Sequence, residues 1–314
     1  MRADGAVRHR GRVVAVVVTW QRLDLLRQAL SAVLEQTEPP DAVVVVDNAS
    51  TDGTAQAVAA EHPDLDLLVL RRNTGGAGGF AAGMQRAFEQ HRADHVWLLD
   101  DDTIPEPAAL AALLAAWERY PEQAPALVAS RTVWHDGRDH PMNTPRRAPL
   151  SSRAERAAAS LVGCEPVRSA SFVSVLVDGA AARQVGLPVA DYFLWNDDFE
   201  YTTRLLRGRV GLRCPGSRVE HRTRTFGASD ADPGPRFYYE VRNKVWLFTR
   251  SRGLGPLERV LYAGSSLARW GRTVRGSSDR AVLRRAAARG LRDGLRAGPR
   301  GNDQVLADAL PDSA

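Results

Sequence analysis

Between residues 12 and 102 the chain alternates two apolar patterns. "RVVAVVV" (12–18), "DAVVVVD" (41–47), "DLDLLVL" (64–70) and "HVWLL" (95–99) are short, nearly continuous apolar runs, as expected of strands buried on both faces. In the first intervening segment (23–36), Leu26, Leu30, Val33 and Leu34 recur at helical spacing. "STDGTAQAVAAEH" opens on turn residues and continues as a second helix, and "GGFAAGMQRAFEQHR" starts a third on a glycine-rich turn. Strands alternating with helices at this pace predict βαβ units and a mostly parallel sheet flanked by helices.

In such sheets ligands bind beyond the carboxyl ends of the strands. Those ends read "TWQR" (19–22), "DNASTD" (47–52), "RNTGGAGG" (72–79) and "DDD" (100–102), all polar or glycine-rich. From about 130 to 225 the alternation loosens. "SFVSVLVD" (171–178) reads as a strand, "DYFLWNDDFEYTTRLLRGR" (191–209) as a loop entering a helix, and 137–160 as a mobile Arg/Pro/Ser-rich loop. The expected organisation is a catalytic region at 12–250, split into 12–102 and 103–250, then an arginine-rich helical extension at 251–300 and a disordered tail at 301–314.

Composition narrows this picture little: 314 residues, 44% hydrophobic and 25% charged, is ordinary for a globular chain. No apolar run approaches the roughly 18 residues that span a bilayer, and "VVAVVV" is too short for an export signal, so a cytoplasmic location is expected. Cys164 and Cys214 have neither disulfide-framework nor zinc spacing and read as reduced thiols in or near the core. Charge is more informative. Residues 251–300 hold twelve arginines against Glu258, Asp279 and Asp293, leaving that stretch at +9 and the rest of the chain at −4. Leu283, Ala287, Leu291 and Leu295 form a stripe within it, flanked by arginines. An amphipathic basic helix of this kind suits an anionic membrane surface. It carries few interleaved aromatics, so nucleic acid is not an expected partner. Lys244 is the one lysine among 42 basic residues, and composition alone gives it no role.

Three acids in a row, Asp100, Asp101 and Asp102, follow a buried strand. In an extended segment the first and third share a face, and two carboxylates on one side suit a hard divalent cation shared with substrate phosphates. A single acid there would read as a solvated loop. Asp197, Asp198 and Glu200 lie among aromatics in "WNDDFEYTTR", where apolar surroundings raise proton affinity and fit a general base. The alternative is a helix start capped by Asn196 or Asp197. Gly76, Gly78 and Ala81 match GxGxxA, with Asp100 24 residues beyond Gly76, which leaves a dinucleotide-dependent oxidoreductase open as a rival class. The same glycines also serve a tight turn and close helix packing. A catalytically inactive sugar- or membrane-binding protein is a third reading.

Taken together, "VVVTWQR", "VVVVDNASTDGT", "RNTGGAGGF", "WLLDDD" and "WNDDFEYTTR", in this order, resemble the family 2 glycosyltransferases of GT-A fold, over residues 13 to 225. The nearest resemblance is to bacterial galactofuranosyltransferases, with actinobacterial rhamnosyltransferases as neighbours. The resemblance implies a nucleotide pocket lined by Thr19, Trp20 and Arg22, with Asp47 on the base. It implies that Asn73, Gly75 and Gly76 approach the donor, and that Asp100, Asp102 and His221 hold Mn²⁺ or Mg²⁺. Asp101 is left free for the sugar, Asp198 is the base, and Trp195, Asp197 and Glu200 lie on the acceptor side, with Phe193 and Trp195 as an apolar wall. The implied partners are a nucleotide-sugar donor and a glycan or polyprenyl-linked glycan acceptor. The chain is shorter than the polymerising galactofuranosyltransferases, which fits an enzyme adding one or two sugars.

Overall fold

The computed structural model describes residues 9–149, 151–223, 226 and 232–311. Four strands, β1 (Val13–Thr19), β2 (Ala42–Asp47), β3 (Asp66–Val69) and β4 (His95–Asp100), alternate with α1 (Leu23–Leu34), α2 (Thr54–Glu61) and α3 (Gly75–Glu89). They form the parallel block β3-β2-β1-β4. β1 is buried at every position because side chains alternate between two cores. Val14, Val16 and Val18 pack towards Phe80, Met84 and Leu98, while Val13, Ala15 and Val17 pack towards Leu26, Leu30 and Trp97.

The second half holds β5 (Thr103–Pro105), α4 (Ala109–Arg119), β6 (Leu127–Val133), β7 (Arg146–Arg147), α5 (Arg153–Leu161), β8 (Glu165–Ser169), β9 (Val175–Asp178), α6 (Gly179–Val185), α7 (Asp197–Leu205) and β10 (Gly211–His221). β9 runs antiparallel between β4 and β6, so the ten-stranded sheet is mixed: parallel through its first four strands, with β5, β7, β8 and β9 reversed against their neighbours. The segment expected as one mobile loop contains α5, started by a capping box between Ser152 and Glu155. Cys164 and Cys214 are buried and free.

The C-terminal part is helical, as α8 (Phe237–Thr249), α9 (Pro256–Gly276), α10 (Arg280–Arg296) and α11 (Asn302–Leu306). The expected apolar stripe of α10 is not one open face. Leu283 is fully buried with Phe237 and Val241, and Gly290 and Gly294 let α10 approach α8 closely, whereas Leu291 and Leu295 stay exposed. Leu257, Val260, Leu261 and Leu267 of α9 are each more than 60% exposed. No helix among the described residues is long and apolar enough to cross a membrane.

The disordered tail expected at 301–314 is corrected through residue 311. Val305, Leu306 and Ala309 are buried, and the Arg71 N–H donates to the Ala309 carbonyl at 2.7 Å. Asn302 holds both the Ala190 N–H and the Pro188 carbonyl. Residues 312–314 lie outside the described residues.

Candidate active site

The register of the sheet assembles the acid cluster. β5 turns back after Asp102 and pairs antiparallel with β10, placing His221 opposite Thr103 and beside Asp102. The Arg222 N–H donates to the Asp102 carbonyl and fixes the junction. Asp100, Asp102 and His221 thereby offer three ligand atoms within 4.8 Å of one another. Asp100 and Asp102 meet across a turn rather than along an extended strand.

The donor set of this cluster fits a divalent cation. Burial, with Asp102 adjacent, pushes the Asp100 carboxyl up to about 7. Asp102 is held below the usual carboxylate range, the cost of its burial being outweighed by His221 and Arg22. His221 Nε2 lies 2.9 Å from Asp102 Oδ1, while Nδ1 faces Asn143 Oδ1 at 3.0 Å. Without a metal, Nε2 pairs with Asp102, which holds the imidazole protonated against its burial; with Nδ1–H kept on Asn143, loss of the Nε2 proton would turn that lone pair to a cation, the usual outer support of a metal-binding histidine. Without a cation the Asp100 and Asp102 carboxylates repel each other, and two carboxylates with one oriented imidazole suit Mn²⁺ or Mg²⁺.

Asp101 points elsewhere. Its Oδ2 accepts from the Thr19 hydroxyl (2.9 Å) and the Trp20 N–H (3.3 Å), and its Oδ1 from Arg22 (3.2 Å). Arg22 also reaches Asp102 at 2.6 Å. The reading that left Asp101 free for the sugar is therefore corrected: its carboxylate ties the β1 loop to the cluster. Trp20 stands half exposed at the mouth of that loop. Asp47 is fully buried; Oδ1 accepts from the Ser50 N–H, while Oδ2 has no hydrogen-bond partner in the protein.

The glycine-rich turn is built by Asn48 and Thr74, which the sequence reading left unassigned, and by Asn73, which it placed near the donor. Asn48 accepts from the Thr74 N–H and hydroxyl and donates to the Gly75 carbonyl. The Asn73 side chain accepts the Gly75 N–H at 2.7 Å, and the Ala77 N–H donates to the Phe193 carbonyl. Gly75 has φ +71°, and a Cβ there would stand 1.9 Å from the Phe193 oxygen. A Cβ on Gly79 or Gly83 would strike Val18 or Val16 of β1. These glycines serve a tight turn and close packing, and the N–H groups of Thr74, Gly75 and Ala77 are already engaged, so the dinucleotide reading is set aside.

The second acid cluster sits on strained backbone. Phe193, Trp195 and Asn196 all have φ near +64°, a costly region for residues other than glycine. Asn243 of α8 holds them: its amide donates to the carbonyls of Tyr192, Leu194 and Trp195 at 2.8–2.9 Å. Arg242 adds bonds to the Asp191 and Tyr192 carbonyls, and Arg300 clasps the Asp191 carboxylate. Asn196 does not cap α7; its amide donates to Glu240.

This loop presents Asp197 and Asp198 at the start of α7 towards two different neighbours. Asp197 is buried and pushed well above the carboxylate range, by burial first, then by Asp198 and more weakly by Asp100. Asp198 lines a cavity of about 370 Å³ between α7, α8 and α9. Burial pushes it up to about 6, against the pull of the Phe199 N–H and Arg146. The cavity wall carries Phe199, Phe248 and Tyr262. Phe193 instead stacks on Tyr239, and Trp195, half-buried, is not part of that wall. Glu200 is corrected from the acceptor side to a structural ion pair: it is 2% exposed, binds Arg204 at 2.8 Å and accepts from Ser251.

Residues 14–170 match the family model described as glycosyl transferase family 2. The chain belongs to that family. This glycosyltransferase is 35% identical over 255 residues to galactofuranosyltransferase GlfT1 of Mycobacterium tuberculosis, a match covering 76% of this chain and 82% of that protein. It is 27% identical to an N-acetylglucosaminyl-diphospho-decaprenol L-rhamnosyltransferase of the same species, over 66% of this chain and 74% of the other. Among solved structures, the mannosyltransferase PcManGT from Pyrobaculum calidifontis, in complex with GDP-Man and Mn²⁺, superposes with a TM-score of 0.53 at 22% identity. That match covers 97% of this chain and 80% of that one, and the shared fold is GT-A.

Proposed function

We propose that this glycosyltransferase is metal-dependent and inverting. In this reading it moves galactofuranose from UDP-galactofuranose to a hydroxyl of a glycan or polyprenyl-linked glycan in cell-envelope polysaccharide synthesis. The observation that supports the mechanism is that Asn143, hydrogen-bonded to His221 of the Asp100–Asp102–His221 cluster, also lines the cavity that holds Asp198. Mn²⁺ or Mg²⁺ held by the first cluster would neutralise charge on the departing nucleoside diphosphate. Asp198, open to the cavity, takes the proton of the acceptor hydroxyl as that oxygen attacks the anomeric carbon from the face opposite the leaving group. One base and one displacement invert the configuration. Asp101, Thr19 and Arg22 hold the loop over the donor, and the open Oδ2 of Asp47 is an acceptor for an N–H of the base.

The choice of galactofuranose rests on the 35% identity to GlfT1 across most of both chains. Transfer of rhamnose from dTDP-rhamnose is the second reading, favoured by the weaker match to the rhamnosyltransferase. The exposed leucines and arginines of the C-terminal helices support peripheral attachment to the anionic inner face of the plasma membrane. The test is nucleotide release by the purified protein over UDP-galactofuranose, other UDP-sugars and dTDP-rhamnose, with Mn²⁺ or EDTA. Release from UDP-galactofuranose, lost in EDTA and in Asp102→Asn and stimulated by a rhamnosyl acceptor, is expected. Release only from dTDP-rhamnose would transfer the assignment to the second reading.

A further inference from the structure

The cavity beside Asp198 carries more positive charge than the proposed chemistry uses. Its wall holds Arg146, Lys244, Arg269 and Arg272 against two carboxylates, Asp198 and Glu240. Glu240 is already occupied: Lys244 lies 2.8 Å away and Arg269 3.7 Å, and the amide of Asn196 and the indole of Trp270 both donate to it. Neither Arg146 nor Arg272 has a carboxylate within ion-pair distance among the described residues. Lys244, the chain's single lysine, is 95% buried at this wall, and a buried cation is costly unless anionic charge surrounds it. Glu240 is shared by two cations, so the pocket is left short of negative charge.

The rest of the cavity is ordered by chemistry. Asp198 stands at one end. Phe199 and Tyr262 meet edge to face at 5.3 Å and carry the Arg146 guanidinium over their rings, giving a surface suited to a sugar face. Arg269 and Arg272 project from α9, the helix whose neighbouring face exposes Leu257, Val260 and Leu261. Base, aromatic wall, arginines and apolar helix face therefore border one another.

We infer that the basic side of this cavity is an anion subsite that binds a phosphate or diphosphate linking the acceptor glycan to its lipid, with Arg146, Arg269 and Arg272 as the contacting groups and Lys244 as the buried charge behind them. The inference rests on the glycosyl-transfer reading above and adds to it how the acceptor is recognised. Arg146 and Arg272 are exposed, so glutamine at either position leaves the core untouched.

The test uses the full chain with Mn²⁺, UDP-galactofuranose and one rhamnosyl acceptor carried either on farnesyl diphosphate or on neutral farnesol. The KM for the diphosphate acceptor is expected to be lower by roughly tenfold or more. In the double variant Arg146→Gln, Arg272→Gln that ratio should fall to about threefold or less. A ratio near one in the unaltered protein, or a ratio that survives both substitutions, would overturn the inference. A binding arm needs no turnover: in EDTA, calorimetric titration should show farnesyl diphosphate bound and farnesol not, with affinity lost in the double variant. Inorganic pyrophosphate binding as tightly as farnesyl diphosphate would make this a free-anion site and overturn the acceptor assignment. Failure of transfer from every donor, with farnesyl diphosphate still bound through the arginines, would overturn the proposed function and leave the subsite standing.

Discussion

Replacing Asp198 by Asn should make the protein more stable as well as inactive, and the gain should depend on pH. Burial at the cavity wall raises the Asp198 carboxyl from its ordinary value of 3.8 to about 6. A raised folded-state value means the folded chain holds this proton more tightly than the unfolded chain does. The resulting stability is complete below about pH 4 and is lost as pH rises through about 6. A shift of about two units corresponds to roughly 3 kcal/mol, and the partial exposure of Asp198 screens this to about 1.5 kcal/mol. Asparagine keeps the oxygen that accepts the Phe199 N–H but carries no charge to desolvate. Arg146, Lys244 and Glu240 face the same cavity and are unchanged in the variant, while Asp197, whose carboxyl Asp198 helps to push up, shares the ionisation, so the difference between the two curves reports the Asp197–Asp198 pair. Urea unfolding at pH 4 and pH 7.5 should give nearly equal stabilities at the lower pH and an advantage of about 1.5 kcal/mol for the variant at the higher. The same ionisation should appear as a rise in kcat/KM of the unaltered enzyme through about pH 6. A variant no more stable at pH 7.5 than at pH 4, together with a rate inflection near 4, would refute the reasoning.

Gly75→Ala forces a Cβ into the Phe193 carbonyl at φ +71°, and should cost about 3 kcal/mol or more. Gly76→Ala, with nothing within 4 Å, should be near neutral; denaturant melts of the pair check this, and a dinucleotide-binding turn would reverse the order of sensitivity. Asn243→Asp sets a carboxylate against three carbonyl oxygens and should cost roughly 3 kcal/mol in stability. It should lower kcat by about a hundredfold while donor affinity, measured by calorimetry, stays within about twofold. Changing Leu257, Val260 and Leu261 together to Ser should weaken co-sedimentation with anionic phospholipid vesicles by roughly tenfold or more, at about 1 kcal/mol per inserted side chain. Melting temperature should be unmoved.

What the sequence disclosed follows from how locally each feature is encoded. The four N-terminal strands are valine- and leucine-rich runs, and their burial on both faces is written in that lack of polar alternation. Asp100 and Asp102 were legible as a pair because the distance between them is two residues. His221 lies 119 positions further on, and only its place in the resemblance drew attention to it; the β5–β10 register that joins them has no local signal. Asp101 was misread because an acid between two candidate metal ligands looks like a third functional group, whereas the β1 loop claims it. Glu200 was legible as a partner of Arg204, but its placement on the acceptor side does not fit, because helix geometry buries it in that ion pair. The reversed strands and the cavity were hidden for the same reason: both depend on contacts between distant segments. One signal was present and unused. A solitary lysine in a chain that otherwise uses arginine marked position 244, which is buried in an ion pair at the cavity wall.

The two halves of the site are secured differently. Thr19, Asp47, Asn48, Asp100 and Asp102 lie within the family-matched residues 14–170, on strand ends whose positions follow from the parallel sheet itself. Asp198 lies outside that span, after a loop with three non-glycine residues at positive φ. Such a loop relaxes unless its surroundings over-determine it. The restraint comes from α8 through Arg242 and Asn243, and from the C-terminal segment through Arg300 on Asp191 and Asn302 on Ala190 and Pro188. The same helices supply the cations and the aromatic ring that face Asp198. The Asp198 loop is thus braced from α8 and the C-terminal segment, while the cavity wall also draws on Asn143, Arg146 and Phe199. Substitutions in α8–α11 can reshape what the base meets without disturbing the strand ends that hold the donor cluster. If the proposed roles hold, donor chemistry and acceptor choice are separable, because the strand-end acids and the Asp198 loop are held by different contacts.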